Sequence, residues 1–252
     1  MDDRPQRVAI VTGASAGIGR ETAIELSRDG YALLLADILV DEGRDSARLI
    51  ESAGGQAIFM RADVSVEADV RKAVQAATSE FGGLDVAVNN AGLEQSGCPI
   101  TEVSADLCDR ILGINVRGVL MGMKHQIPAL RARGGGAIVN VSSIAGQLGF
   151  PGASVYVASK HAVIGLTRTA ALECAHDGIR VNAVCPGAIQ TDMIDRFAGH
   201  NPAAKAALIA SHPLGRIGTV REVASAIRWL CSSGASFVTG QCLTVDGGYT
   251  VQ

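Results

Sequence analysis

Short apolar runs recur along this chain, separated by longer stretches whose apolar residues repeat at helical spacing. Seven runs have strand length: Val8–Val11, Ala32–Ala36, Ala57–Met60, Val86–Val88, Ala137–Val141, Val181–Cys185 and Cys242–Val245. Several are continuously apolar rather than alternating, which is what a strand covered on both faces requires. Between them the spacing predicts helices over Gly17–Asp29, Asp41–Ala53, Glu67–Phe81, Ala105–Arg131, Ser154–His176 and Val220–Ser232. Thr219-Val-Arg-Glu222 reads as a capping box opening the last helix, and Ala53-Gly54-Gly55 as a helix stop. Strand and helix alternate without a linker, so residues 1–252 are expected to form one α/β domain around a doubly wound parallel sheet of seven strands. The region Asp192–His212 breaks the alternation after the sixth strand. It predicts a substrate lid at about 190–213, with Met193, Ile194, Phe197, Leu208 and Ile209 giving a mostly apolar pocket.

Composition narrows the function by exclusion. With 48% apolar and 19% charged residues the chain buries a sizeable core and is not disordered. A net charge of −3 and no basic block give no pull toward nucleic acid or an anionic membrane. The longest apolar run, Tyr31–Val40, is interrupted by Asp37 and too short to span a bilayer. Met1–Arg7 is polar and lacks a signal-peptide pattern, so a cytoplasmic location is expected. The six cysteines (Cys98, Cys108, Cys174, Cys185, Cys231, Cys242) form no C-x-x-C pair and read as reduced thiols. No histidines have ligand spacing, so no catalytic metal is expected.

The first candidate site follows the first strand: Thr12-Gly13-Ala14-Ser15-Ala16-Gly17-Ile18-Gly19, which then opens a helix. Glycines let the backbone turn tightly and approach a pyrophosphate, whose charge the helix N-terminus favours. Asp37 ends the second strand, 18 residues after Gly19. A carboxylate there accepts both ribose hydroxyls of an adenosine and repels a 2′-phosphate. Two like charges about 4 Å apart cost on the order of 4 kcal/mol at an effective dielectric of roughly 20. With alanine rather than a cation at position 16, NAD is the expected cofactor.

The second candidate is Tyr156 with Lys160, four apart on a predicted helix and so on one face. A tyrosine acting near neutral pH needs its pKa lowered by about 2–3 units, or ~3–4 kcal/mol. A neighbouring ammonium and a cationic nicotinamide have the sign for this.

Taken with Asp63-Val64, Asn89-Asn90-Ala91-Gly92, Asn115, Ser143 and Pro186-Gly187 followed by Thr191, these motifs give the chain a strong resemblance to the compact branch of the short-chain dehydrogenase/reductase family. The resemblance covers essentially the whole chain. It implies a Rossmann-type fold and hydride transfer between NAD and a small secondary alcohol or its ketone. Tyr156 would exchange the proton with the substrate oxygen, and Ser143 would hold and polarise that oxygen, with its neighbour Ser142 as the rival assignment. Lys160 would also hold the nicotinamide ribose, and Asn115 would relay protons to Lys160, the other reading being a helix-surface asparagine. Asn89, Ala91 and Gly92 would floor the adenosine, Asp63 and Val64 would flank the adenine, and Thr191 with Ile189 would anchor the carboxamide. Gly13, Ser15, Ala16, Gly17, Ile18, Gly19, Pro186 and Gly187 complete the expected cofactor contacts. Most relatives of this type are homotetramers, and two helices with apolar residues on more than one face point the same way.

Several residues are read as structural: His161, which points off the catalytic face, Cys185, and Met121, Met123 and Trp229 as packing. Glu94, two residues past Gly92, is open between a solvated loop carboxylate and a substrate contact that accepts a second hydroxyl. The second reading, with Met193 beside it, predicts neutral hydroxylated or diketone-type rings in preference to free carboxylates. A 3-oxoacyl or 3-hydroxyacyl thioester oxidoreductase shares every motif, although Asp37 and Ala16 disfavour the NADPH-using version. A catalytically silent nucleotide-binding regulator would have no need of Ser143, Tyr156 and Lys160 together.

Overall fold

All seven apolar runs become strands: β1 (Arg7–Thr12), β2 (Tyr31–Asp37), β3 (Gln56–Arg61), β4 (Val86–Asn89), β5 (Gly136–Val141), β6 (Ile179–Pro186) and β7 (Cys242–Val245). The computed structural model describes residues 6–95, 97–197 and 201–252, and leaves the expectation for Met1–Pro5 outside them. The strands pair in the order β3-β2-β1-β4-β5-β6-β7, every pair parallel. Helices α1 (Gly17–Arg28), α2 (Val40–Ser52) and α9 (Val220–Cys231) cover one face, packing on Ala9, Val11, Leu33, Leu35 and Val139. Helices α3 (Glu67–Phe81), α5 (Gly118–Ala132) and α6 (Ser154–Cys174) cover the other, packing on Val8, Ile10, Leu34, Ile138 and Val181. Adjacent residues of one strand thus enter opposite cores, which explains the continuously apolar runs. Burying a leucine such as Leu33 or Leu34 is worth roughly 1.5–3 kcal/mol, so both faces contribute.

The predicted caps form. Thr219 Oγ1 accepts from Glu222 N (3.3 Å) while Glu222 Oε2 accepts from Thr219 N (2.8 Å), and α2 ends before Gly54, whose φ is +86°. The predicted helix Ala105–Arg131 is not continuous. It divides into α4 (Ala105–Leu112) and α5, joined by a wide turn, Gly113–Arg117, in which Gly118 N reaches back five residues to Gly113 O. The cause is side-chain demand inside the ladder: Asn115 points inward to bind Leu93, and Gly118 passes so close to Val64 that a Cβ there would lie 2.9 Å from Val64 Cγ2. Such wide turns are rare in helices and concentrate at functional sites.

After β6 come α7 (Asp192–Phe197) and α8 (Pro202–Ala210). Because the chain leaves β1 for β2 and later returns to β4 on its other side, a crevice opens outside the carboxyl ends of β1 and β4. No helix among the described residues is long and apolar enough to cross a membrane.

Candidate active site

The glycine loop lines one end of the crevice. Gly13 (φ +65°) and Gly17 (φ +56°) hold left-handed backbone, and a Cβ on Gly19 would lie 2.1 Å from Gly13 O. Asn90 fixes the loop from below, its Nδ2 donating to Thr12 O and Gly13 O (both 3.0 Å), while Thr12 Oγ1 accepts from Asn90 N (3.0 Å) and Ala91 N (3.1 Å). Arg20 pins it from outside through Ser15 O and Ser46 Oγ. Ala16, the N-cap of α1, has no side-chain acceptor for the first amides of that helix. Asp37 Oδ2 accepts from Ser15 N (3.0 Å) and Oδ1 from Leu39 N (3.1 Å). A carboxylate offers about four lone-pair positions, so the Asp37 group retains capacity for a diol. A glycine cradle, uncapped helix amides and an anchored carboxylate together fit a dinucleotide.

Two of the expected contact residues also carry structural bonds of their own. The Asn89 side chain turns away from the crevice: its Nδ2 donates to Asn140 Oδ1 (2.9 Å) and Gln126 Oε1 (3.1 Å), and its Oδ1 accepts from Gln126 Nε2 (2.8 Å). Only its backbone is left for a ligand. Asp63 Oδ1 accepts from Ser65 N (2.9 Å) and Ser65 Oγ (2.7 Å), so this carboxylate first shapes its own turn beside Val64.

At the centre of the crevice, Ser143, Tyr156 and Lys160 line one cavity with Gly92 and the loop Pro186–Thr191, which includes Gly187 and Ile189. Ser143 hydrogen-bonds to Tyr156, whereas the Ser142 hydroxyl donates inward to Lys160 O (2.9 Å). Lys160, only 5% exposed, donates from Nζ to Val141 O (3.0 Å) and sits 5.6 Å from the centre of the Tyr156 ring. Asn115, 1% exposed, is not on the helix surface: its Oδ1 accepts from Leu93 N (2.8 Å), and its Nδ2 donates to Leu93 O (2.9 Å) and Ser159 Oγ (3.0 Å). A Cβ on Gly92 would lie 3.4 Å from both Asn115 Oδ1 and Lys160 Nζ, so any side chain there would abut both groups.

Burial dominates the electrostatics of the pair. Burial pushes the Tyr156 phenol above its ordinary pKa; the hydrogen bond with Ser143 opposes this, and the Glu94 carboxylate adds to the rise. Burial also depresses the Lys160 ammonium to about 8, so near neutral pH it still carries most of its charge and has the sign to favour a phenolate beside it.

The far end of the cavity shows what sequence reasoning missed. Glu94 is not solvated: its side chain is 14% exposed, Oε1 accepts from Arg196 Nε of α7 at 2.6 Å, and Oε2 is buried without a partner. The ion pair cancels much of the field by which a lone carboxylate would repel an anion. Gln95 supplies the cap that Ala153 cannot give α6, its Oε1 accepting from Val155 N (2.9 Å) and Tyr156 N (3.1 Å). Neither role has a local sequence signal. Met193, Ile194 and Leu208 line the cavity as expected; Ile209 does not, and the Phe197 side chain and Ser96 lie outside the described residues. Phe150, His212 and Tyr249 join the lining. His161 is exposed and bonded to its own helix, and Cys185 is buried with its thiol pKa pushed up through Cys242 and by burial. Among the described residues no group of three or more His, Cys, Asp or Glu is arranged to hold a metal.

This chain belongs to the short-chain dehydrogenase/reductase family. The family model described as enoyl-(acyl carrier protein) reductase matches residues 13–250. It is 43% identical to a 2,5-dichloro-2,5-cyclohexadiene-1,4-diol dehydrogenase of Sphingobium indicum over 99% of both chains. It is 44% identical to a cis-4-hydroxycyclohexanecarboxylate dehydrogenase of Sinomonas cyclohexanicum over 97% of both. The crystal structure of levodione reductase superposes with a TM-score of 0.94 at 36% identity, covering 98% of this chain and 99% of that one. The chain is thus an oxidoreductase of the secondary-alcohol type with a nicotinamide cofactor.

Proposed function

We propose that this protein is an NAD-dependent dehydrogenase that interconverts a secondary alcohol on a six-membered ring and its ketone. The observation that carries this reading is the convergence of Ser143, Tyr156 and Lys160 on one cavity between a dinucleotide cradle and an apolar wall. Several of its relatives are named for cyclic alcohols and diols, which favours rings over acyl thioesters. The bound nicotinamide supplies the hydride acceptor. Tyr156, as phenolate, takes the hydroxyl proton of the alcohol, while Ser143 donates to the same oxygen and holds it in place. Lys160 steadies the phenolate and the ribose, and Asn115, fixed to the Leu93 backbone, lines the proton's exit. Asp37, followed by the exposed apolar pair Ile38 and Leu39 where a 2′-phosphate would need cations, selects NAD.

Helices α7 and α8 act as the substrate lid, with Arg196–Glu94 tying α7 to the loop after β4. The pairing of Glu94, together with the carboxylate named in one relative, withdraws the argument against anionic ring substrates. Glu94 Oε2 remains the candidate acceptor for a second ring hydroxyl. We place the enzyme in the cytoplasm as a homotetramer joined through faces that carry exposed Leu120 and Leu172; light scattering at the single-chain mass of 25.9 kDa would overturn this assembly. The deciding experiment is an absorbance assay of reduced nicotinamide with secondary alcohols, cyclic diols, hydroxysteroids, sugars and acyl thioesters, each with NAD and NADP. Turnover of ring alcohols with NAD is expected. Turnover of thioesters alone would replace the reading.

A further inference from the structure

The end of the chain reaches the cavity by a route that none of the catalytic motifs describes. After β7, Asp246 gathers the terminal turn Tyr249–Val251: its Oδ1 accepts from Gly248 N (2.9 Å) and its Oδ2 from Thr250 N and Thr250 Oγ1 (both 2.8 Å). Gln252 Nε2 donates to Ser211 O (2.9 Å), tying the terminus to the end of α8. The clamp presents the Tyr249 ring to the cavity, where its centre lies 5.1 Å from that of His212 and 6.0 Å from that of Phe150, both tilted contacts.

His212 is itself held rigidly. It is 3% exposed, its Nδ1 lies 2.6 Å from Leu208 O, and its Nε2 accepts from Ala188 N at 3.3 Å. With one nitrogen facing a carbonyl and the other an amide, the ring is the neutral Nδ1–H form. The three rings therefore come from the loop after β5, the end of the lid and the C-terminus, and meet in the cavity that holds Tyr156.

We infer that Tyr249, carried by the Asp246-clamped terminal turn, is a specificity-determining residue: with Phe150 and His212 it forms an aromatic wall that selects six-membered-ring substrates over open-chain alcohols of equal carbon number. Tilted aromatic faces set about 5–6 Å apart present an extended apolar surface. A compact ring covers it while losing little internal freedom, whereas an open chain gives up rotors to lie in the same place. This inference rests on the reading of the cavity as an alcohol site and names which substrates it favours.

The test compares kcat/KM for cyclohexanol and 2-hexanol with NAD in the wild type, Tyr249→Phe and Tyr249→Ala. Melting temperatures serve as the folding control. Tyr249→Ala should lower the cyclohexanol to 2-hexanol ratio roughly tenfold, the scale on which apolar pocket contacts discriminate. Tyr249→Phe should keep it. An unchanged ratio in Tyr249→Ala, or an equal loss in both variants, overturns the wall. A parallel arm records saturation-transfer NMR of cyclohexanone and 2-hexanone with the NAD-loaded proteins, where the wild type should favour the ring and Tyr249→Ala should not. If the wild type oxidises no alcohol, the proposed function falls, and the NMR arm still decides the wall: no ring preference in binding overturns it.

Discussion

At the cofactor end of the crevice, Thr12, Asp37, Asp63 and Asn90 direct their polar atoms onto the loops that carry them, bonding to Ala91, Ser15, Leu39, Ser65 and Gly13. At the substrate end, Glu94 Oε2 and Gln95 Nε2 are buried with no protein partner; among the described residues only Thr22 Oγ1, inside α1, and Ser154 Oγ, in the first turn of α6, are in the same condition. A frame for an invariant ligand can satisfy itself and stay rigid. A surface that must recognise a particular substrate has to leave polar capacity open, at about 1–3 kcal/mol for each buried group left without a bond.

The sharpest test of this division is Tyr156→Phe, which removes one oxygen from the substrate end. Turnover should fall by about 10³-fold or more, while NAD binding measured by calorimetry stays unchanged. Turnover within tenfold of wild type would remove Tyr156 from proton transfer. Alcohol oxidation by the wild type should also climb as pH rises, because the reactive form is the phenolate and burial raises its pKa.

Next in size is Lys160→Met, which separates function from stability. The folded pKa of Lys160, about 8, lies below its unfolded value of 10.5, so between these the unfolded chain binds the extra proton. The native state is penalised below pH 8, and the penalty fades toward pH 10.5. At pH 7 the variant should be inactive when supplied with NAD and alcohol, yet in cofactor-free melts more stable than wild type by up to about 3 kcal/mol, with the gap closing at alkaline pH. A variant less stable than wild type at pH 7 would sink this account.

Asp37→Ser with Ile38→Arg addresses the cofactor end alone. The wild type should favour NAD over NADP by roughly 10²-fold in kcat/KM, and the double variant should narrow or reverse this without altering the KM for the alcohol. Equal use of both cofactors by the wild type contradicts the role given to Asp37.

The smallest effect is expected at Glu94. Glu94→Gln should raise the KM for a 1,4-cyclohexanediol by about 1–2 kcal/mol and leave that for cyclohexanol nearly unchanged. Equal changes for both substrates would mean that Glu94 serves only the Arg196 tie.

Much of this was legible beforehand. Continuous apolar runs marked strands buried on both faces, and the glycine loop, Asp37 and the Tyr156–Lys160 spacing each express a local rule of one loop, one strand end or one helix face. Illegible were contacts that join segments far apart in sequence: Glu94 with Arg196, Gln95 with the start of α6, and Tyr249 with Phe150 and His212. That the Asn89 amide packs against Gln126 and Asn140 was equally illegible, because sequence order does not tell which side of a strand end faces the crevice.

The sequence by itself determined the sheet, its helices and the candidates for the reacting groups, because periodicity and motif spacing act over one or two turns of chain. Tertiary structure alone decided the wide turn at Asn115, the depressed ammonium of Lys160, the raised phenol of Tyr156 and the aromatic wall. Burial, and the pairing of groups a hundred residues apart, exist only once the layers have closed on one another.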